Sequence, residues 1–99
     1  MTAYVIADIK VSDPDQYRED RALSPTAARA AGGEFVVRGG AHEVLEGDWH
    51  PNRVVMLKFP SYEQARAFYD STLYRQAREK RAGATEFFNM IVVQGADEQ

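Results

Sequence analysis

The side chains with chemistry to offer are Asp8, Arg38, His42, Glu46, Trp49 and Asn89, together with Tyr4, Tyr69 and Tyr74. Arg38 stands just before Gly39-Gly40, where the backbone or a ligand can approach closely. An arginine in such a place can hold a carboxylate or an enolate through two parallel hydrogen bonds. It can equally form a structural ion pair, and Asp8 and Glu46 are the carboxylates within reach of that reading. Asp8 would act as a general acid or base if desolvated, and would otherwise be paired or partly wet. His42 carries an imidazole, the side-chain type suited to proton transfer. His42, Glu46 and His50 also carry metal-ligating groups that suit zinc or iron(II), but their spacing completes no ligand set, so no metal is expected. Catalysis, if there is any, is expected from Arg38, Asp8 and His42. Tyr4, Asn89, Glu46, Trp49, Tyr69 and Tyr74 are the expected ligand contacts, with packing as the plain alternative for the aromatics.

Whole classes of chemistry are excluded. There is no cysteine, hence no disulfide, no thiolate nucleophile and no thiolate metal site. A net charge of -3 leaves no basic footprint for nucleic acid. No glycine pair precedes a helix as a phosphate loop does. No tightly held cofactor is expected. The start of the chain enters a strand pattern without a basic region and apolar run, and no apolar stretch is long enough to span a bilayer. A cytoplasmic protein with no membrane partner is expected.

The elements that position these residues follow from periodicity and punctuation. Residues 3 to 11 alternate and are rich in β-branched side chains, the mark of a strand. Asp13-Pro14 begins a helix, as an N-cap followed by proline at the first helical position. Ser24-Pro25 repeats that signal, which predicts a break or kink and then a second helical piece to Ala31, closed by Gly32-Gly33. Strands are expected over 34–38 and 53–59, with a bulge or bend at Gly39-Gly40, a short extended piece over 42–46 and a turn over 47–52. Ser61 and Gln64 form a capping box for the next helix, Asp70-Ser71 recaps it, and Gly83 ends it. A last strand covers 85–94. The order β-α-β-β-α-β predicts an α+β, ferredoxin-like fold, with a four-stranded antiparallel sheet and two broken helices on one face. One domain is expected over 1–95, with 96–99 a flexible tail.

Strand parity then sorts the side chains. Val5, Ala7, Ile9, Val11, Phe35, Val37, Val55, Leu57, Phe59, Phe88, Met90 and Val92 form an almost pure hydrocarbon set, assigned to the face beneath the helices. The opposite set holds Tyr4, Ile6, Asp8, Lys10, Glu34, Val36, Arg38, Val54, Met56, Lys58, Phe87, Asn89 and Ile91. It is too apolar to be left in water. A second copy related by a two-fold axis would cover it and enclose a barrel with Asp8, Arg38, Lys58 and Asn89 inside.

Asp13-Pro14, Tyr17, Gly32-Gly33, Arg38-Gly39-Gly40, Glu46-Gly47-Asp48-Trp49, Arg53, Phe59-Pro60-Ser61, Tyr69-Asp70-Ser71, Tyr74 and Arg81-Ala82-Gly83 resemble a family of short, mostly bacterial proteins, the domain of unknown function DUF1330 of the dimeric α/β-barrel superfamily. The resemblance covers nearly the whole chain and implies a ferredoxin-like fold and a homodimer. It implies no particular reaction, and no catalytic residue carries over from the superfamily's enzymes. Two functions remain open at this point. One is binding or transformation of a small organic acid or aromatic ligand in the inter-sheet pocket. The other is a non-catalytic structural or stress-related dimer whose buried polar groups only fix its geometry.

Overall fold

The computed structural model describes residues 2–96. Strand β1 (Ala3–Val11) leads into helix α1 (Pro14–Ala30); β2 (Glu34–Arg38) and β3 (Arg53–Phe59) follow; helices α2 (Tyr62–Asp70) and α3 (Thr72–Arg81) precede β4 (Thr85–Gln94). The four strands pair antiparallel in the order β2-β3-β1-β4. The fold is thus ferredoxin-like, with three helices where two broken ones are expected. No helix among the described residues is long and apolar enough to cross a membrane. Of the expected flexible tail, residues 97–99 lie outside the described residues.

Local chemistry accounts for the boundaries. The Asp13 side chain accepts from Gln16 N at 3.1 Å, and Pro14 needs no partner for a missing N–H. At the far end Gly32 takes φ +83°, and Gly32 N and Gly33 N bond back to Arg29 O and Ala28 O, a Schellman closure. Ser61 and Ser71 accept from Gln64 N and Tyr74 N, each at 3.1 Å, and so start α2 and α3. The capping box closes differently from expectation. The Gln64 amide donates to Ala31 O at 3.3 Å, tying the start of α2 to the end of α1.

The expected break at Ser24-Pro25 does not occur: α1 runs unbroken through Pro25. Proline removes the hydrogen bond that its N–H would donate to the carbonyl four residues back, here that of Arg21. That carbonyl is not left bare. Arg38 Nη2 donates to it at 2.7 Å. A tertiary hydrogen bond from β2 replaces the one the proline deletes.

Arg38 can do this because the sheet corrects the expected parity. Phe35 pairs with Leu57, but Val37 pairs with Met56 and Arg38 with Val55. The bulge lies at Val36, ahead of the glycines. One extra residue turns Val37 to the face away from the helices and brings Arg38 onto the helix side, the reverse of the expected assignment. The rest of the hydrocarbon set is as read: Val5, Ala7, Ile9, Val55, Leu57 and Phe59 are buried against Ala27, Ala28, Ala65, Phe68, Tyr74 and Ala77 of the helices. The other face stays open in the single chain, with Ile91 60%, Val36 46% and Val93 42% exposed.

Residues 39–52 form a long, largely exposed connection, and the short extended piece expected over 42–46 joins no strand of the sheet. Alternation alone cannot make a strand without a ladder partner, and β2 already stands at the sheet's edge with its paired side toward β3.

Candidate functional site

The capping at Asp13 sets the phase of α1, and that phase points Tyr17, Asp20 and Ser24 inward on one stripe, with Ala27 and Ala28 continuing it. These spacings are those of a helix's buried side, yet the middle residue is a carboxylate. Asp20 is only 4% exposed. Around it stand Arg38 from β2, Arg53 from the start of β3, and Tyr74 and Arg81 from α3. Gly39, at φ +73°, leaves room for the Arg53 guanidinium, which a Cβ there would strike. Arg38 rides over the Phe35 ring at 4.3 Å, and Arg81 over the Phe88 ring at 3.6 Å. Arg81 Nη1 donates to the Tyr74 hydroxyl at 3.3 Å.

This cluster encloses a cavity of about 30 Å³, lined by Tyr17, Asp20, Arg38, Arg53 and Tyr74 among apolar neighbours. Asp20 Oδ1 and Arg53 Nε are buried with no hydrogen-bond partner. Outside it, between α1 and the end of β1, a groove of about 230 Å³ is lined by Val11, Pro14, Tyr17, Arg18, Arg21 and Arg53. Tyr17, Arg21 and Arg53 border both spaces and form the wall between them.

The electrostatics are lopsided. Burial raises the Asp20 carboxyl from its ordinary 3.8 to about 6, against the pull of Arg81 and Arg38. Burial also raises Tyr17, helped by the Asp20 charge and opposed by Arg53. The Tyr74 phenol is pushed up by burial as well. Arg38 is lowered, first by burial and then by its cationic neighbours Arg21 and Arg53. The ion pairs among the described residues are Lys10–Glu86, Arg18–Asp15 and Arg66–Asp70, all at the surface. Arg38 and Arg81 act on the buried Asp20 carboxyl, and Arg21 and Arg53 crowd Arg38, with none of the four in an ion pair among the described residues. Such a place can accept an anion and a proton.

The residues expected to carry chemistry are divided differently. Arg38 makes no ion pair with Asp8 or Glu46 and does not face the inter-sheet side. Asp8 does lie on the face away from the helices, opposite Val54 and Asn89. Both its oxygens are engaged: Trp49 Nε1 donates to Oδ2 at 3.1 Å and Asn52 N to Oδ1 at 2.9 Å. Asp8 is the anchor that holds the 39–52 connection against the sheet. His42 Nε2 lies 2.9 Å from Pro51 O, a bond within the same connection that requires a proton on that nitrogen. Glu46 and His50 are exposed. Among the described residues no three His, Cys, Asp or Glu side chains gather as a metal site would need. Tyr4 is half-buried and pairs with Lys58 and Val93 on the open face. Tyr69 is half-buried beneath Arg78, at 4.1 Å from its ring, and Tyr74 is 3% exposed inside the helix-side cluster. Of the expected residues, then, the structure joins Arg38 with Tyr74, and Asp8 with Trp49.

Residue type alone does not single out Asp20, Tyr17, Arg53 and Arg81 for chemistry. One signal is present in the sequence: a carboxylate three residues after Tyr17 and four before Ser24, within a stripe that continues into Ala27 and Ala28. A charged residue at a buried helical position is the exception that calls for a reason.

Comparison with solved structures gives the same fold. A protein of unknown function from Rhodopseudomonas palustris superposes with TM-score 0.71 at 21% identity, covering 95% of this chain and 82% of that one. A protein from Jannaschia sp., described as a dimeric ferredoxin-like protein of unknown function, gives TM-score 0.71 at 13% identity over 96% of this chain and 100% of that one. One from Nitrosomonas europaea, described as a candidate antibiotic biosynthesis monooxygenase, gives TM-score 0.60 at 15% identity over 97% and 99%. No functionally curated protein matches the chain in sequence. The domain of unknown function DUF1330 matches residues 2–96, nearly the full length, and the chain belongs to that family.

Proposed function

We propose that the protein works as a homodimer joined through the sheet face away from the helices, and that each protomer binds a small organic acid at the arginine-lined wall between α1 and the sheet. The observation that carries the binding reading is the crowding of Arg21, Arg38 and Arg53, with Arg38 and Arg81 near a single buried carboxyl and no ion pair to satisfy them among the described residues. Guanidinium groups bind carboxylates bidentately and are costly to hold close together without an anion. The groove against Tyr17 and Arg53 offers an apolar side at Val11 and Pro14 for the rest of a small acid. The inter-sheet pocket is the weaker place for such a ligand, because Arg38 has left that face and Asp8 is occupied.

The dimer reading rests on Ile91, Val36 and Val93 standing exposed beside Ile6 and Met56 on one sheet face. An apolar face of this kind is normally covered, and the same face of a second copy covers it with closed symmetry. The Jannaschia neighbour is described as dimeric. Light scattering over a dilution series should give twice the chain mass. A concentration-independent monomer would refute this part.

Binding is tested by thermal denaturation with pyruvate, benzoate and succinate at fixed protein concentration. A ligand at a hundred times its dissociation constant raises stability by about 2.7 kcal/mol. At least one acid should raise the melting temperature of the parent and fail to do so for Arg53→Met. A non-catalytic dimer is the second reading, favoured by an inner cavity of only about 30 Å³. Equal, salt-like responses of parent and variant to all three acids would favour it.

A further inference from the structure

We propose that the cleft between α2 and the edge strand β4 is a second binding site, for a straight-chain fatty carboxylate, with the carboxylate at Arg81 and the alkyl chain along Met90 and Val92. This inference goes beyond the small-acid reading and does not depend on it. The cleft holds about 340 Å³, within the usual range of small-molecule sites. Val5, Phe88, Met90 and Val92 form its floor, and Ala65 and Tyr69, one helical turn apart on α2, form its wall. Phe88 and Met90 also line the inner cavity, so these two side chains divide the cleft from Asp20.

The strand gives the cleft its shape. Phe88, Met90 and Val92 alternate onto the helix side of β4 and pack against the core. From Phe88 to Val92 the row runs about 13 Å, at about 3.3 Å per residue. Its two ends differ in chemistry. At one end the Arg81 guanidinium lies 3.6 Å from the centre of the Phe88 ring. At the other, Val92 pairs with Val5 of β1, and both side chains are hydrocarbon. A long apolar row with a cation at one end fits a chain with a single terminal carboxylate. A dicarboxylate of that length would have to bury its second charge against Val5 and Val92.

Arg81 has donors to give. Its Nη1 donates to the Tyr74 hydroxyl at 3.3 Å, and among the described residues it makes no ion pair. A guanidinium carries five N–H donors in a planar fork, so a carboxylate fits beside the tyrosine bond. Arg66, the other cation of the cleft, is answered at the surface by Asp70 at 3.4 Å. Arg78 lies 4.1 Å from the centre of the Tyr69 ring and holds that wall in place before any ligand arrives.

The experiment titrates hexanoate, octanoate and decanoate into the protein by calorimetry, with 1-octanol beside octanoate. Each added CH2 should tighten binding about fourfold. Octanoate should bind about tenfold or more tighter than 1-octanol. In Arg81→Met that order should reverse, because the uncharged alcohol is the easier of the two to take out of water. Methyl-labelled methionine locates the site by NMR. The Met90 signal should shift and saturate with octanoate, while that of Met56, on the face away from the helices beside Ile6, stays in place. No binding by the parent, 1-octanol as tight as octanoate, affinity flat along the series, or shifts at Met56 in place of Met90 would each overturn the inference. The alcohol comparison and the methionine shifts need the parent alone, so they decide the matter even if Arg81→Met does not fold.

Discussion

Replacing Asp20 by asparagine should make the protein more stable, and the gain should depend on pH in a set way. The side chain keeps its shape, loses the ability to ionise and exchanges one acceptor oxygen for an NH2 donor. Moving a carboxyl from 3.8 in the unfolded chain to about 6 in the folded one makes its ionisation about 3 kcal/mol costlier after folding. Between those two values the folded state holds more protons than the unfolded state, so stability falls as pH rises through that window. The parent bears little of this cost below pH 3.8, roughly 1.5 kcal/mol at pH 5, and the full cost of about 3 kcal/mol by pH 8. An amide at this position cannot incur it, so the variant should match the parent near pH 3.5 and exceed it increasingly above. At pH 8 the difference corresponds to roughly 10 °C or more in melting temperature for a chain of this length. The assay is thermal and urea denaturation of both proteins at one protein concentration over pH 3.5 to 8, because dimer stability depends on concentration. A variant no more stable than the parent at pH 8 would refute the claim that Asp20 is buried without adequate partners. So would a difference that does not change with pH.

Three other outcomes follow from contacts. Arg38→Met removes the donor to the Arg21 carbonyl that Pro25 leaves bare, and should cost about 1–2 kcal/mol by urea denaturation; in a Pro25→Ala background, where a backbone N–H returns, the same change should cost measurably less. Gly33→Ala would set a Cβ 2.6 Å from Phe59 Cδ1, in the core rather than at a flexible surface, and should lower stability by about 1–3 kcal/mol in the same assay. Asp8→Ala releases Trp49 and the Asn52 amide together, so limited proteolysis should cut within 39–52 faster, while the helix-side cluster and its acid binding are unchanged.

Much of the fold is legible in the sequence because period and punctuation agree. The strands over 34–38, 53–59 and 85–94, and the caps at Asp13, Ser61 and Ser71, follow from local chemistry alone. What escapes depends on contacts between elements. Ser24-Pro25 carries a true local stop signal, overridden by an arginine that reaches α1 from β2. Val36-Val37 gives no sign of which residue is the extra one, since both are apolar and β-branched; that one-residue bulge carries Arg38 across the sheet, and the expected site with it. Asp8 is legible as a pairable carboxylate on the open face, but its partners come from a turn whose path no periodicity encodes. Asp20 is within reach of the pattern, as the polar member of a buried stripe, and escapes a reading in which residue type outweighs position.

The acid-binding proposal depends on the ligand sitting between α1 and the sheet rather than between two sheets. Amide and arginine side-chain chemical-shift mapping tests this directly, with a small acid that stabilises the parent titrated into isotope-labelled protein. The shifts should centre on Tyr17, Asp20, Arg21, Arg38 and Arg53 and saturate together, with Tyr4, Ile6, Met56 and Asn89 unmoved. Shifts centred on Tyr4, Ile6, Met56 and Asn89, with Asp20 and Arg53 silent, would contradict it.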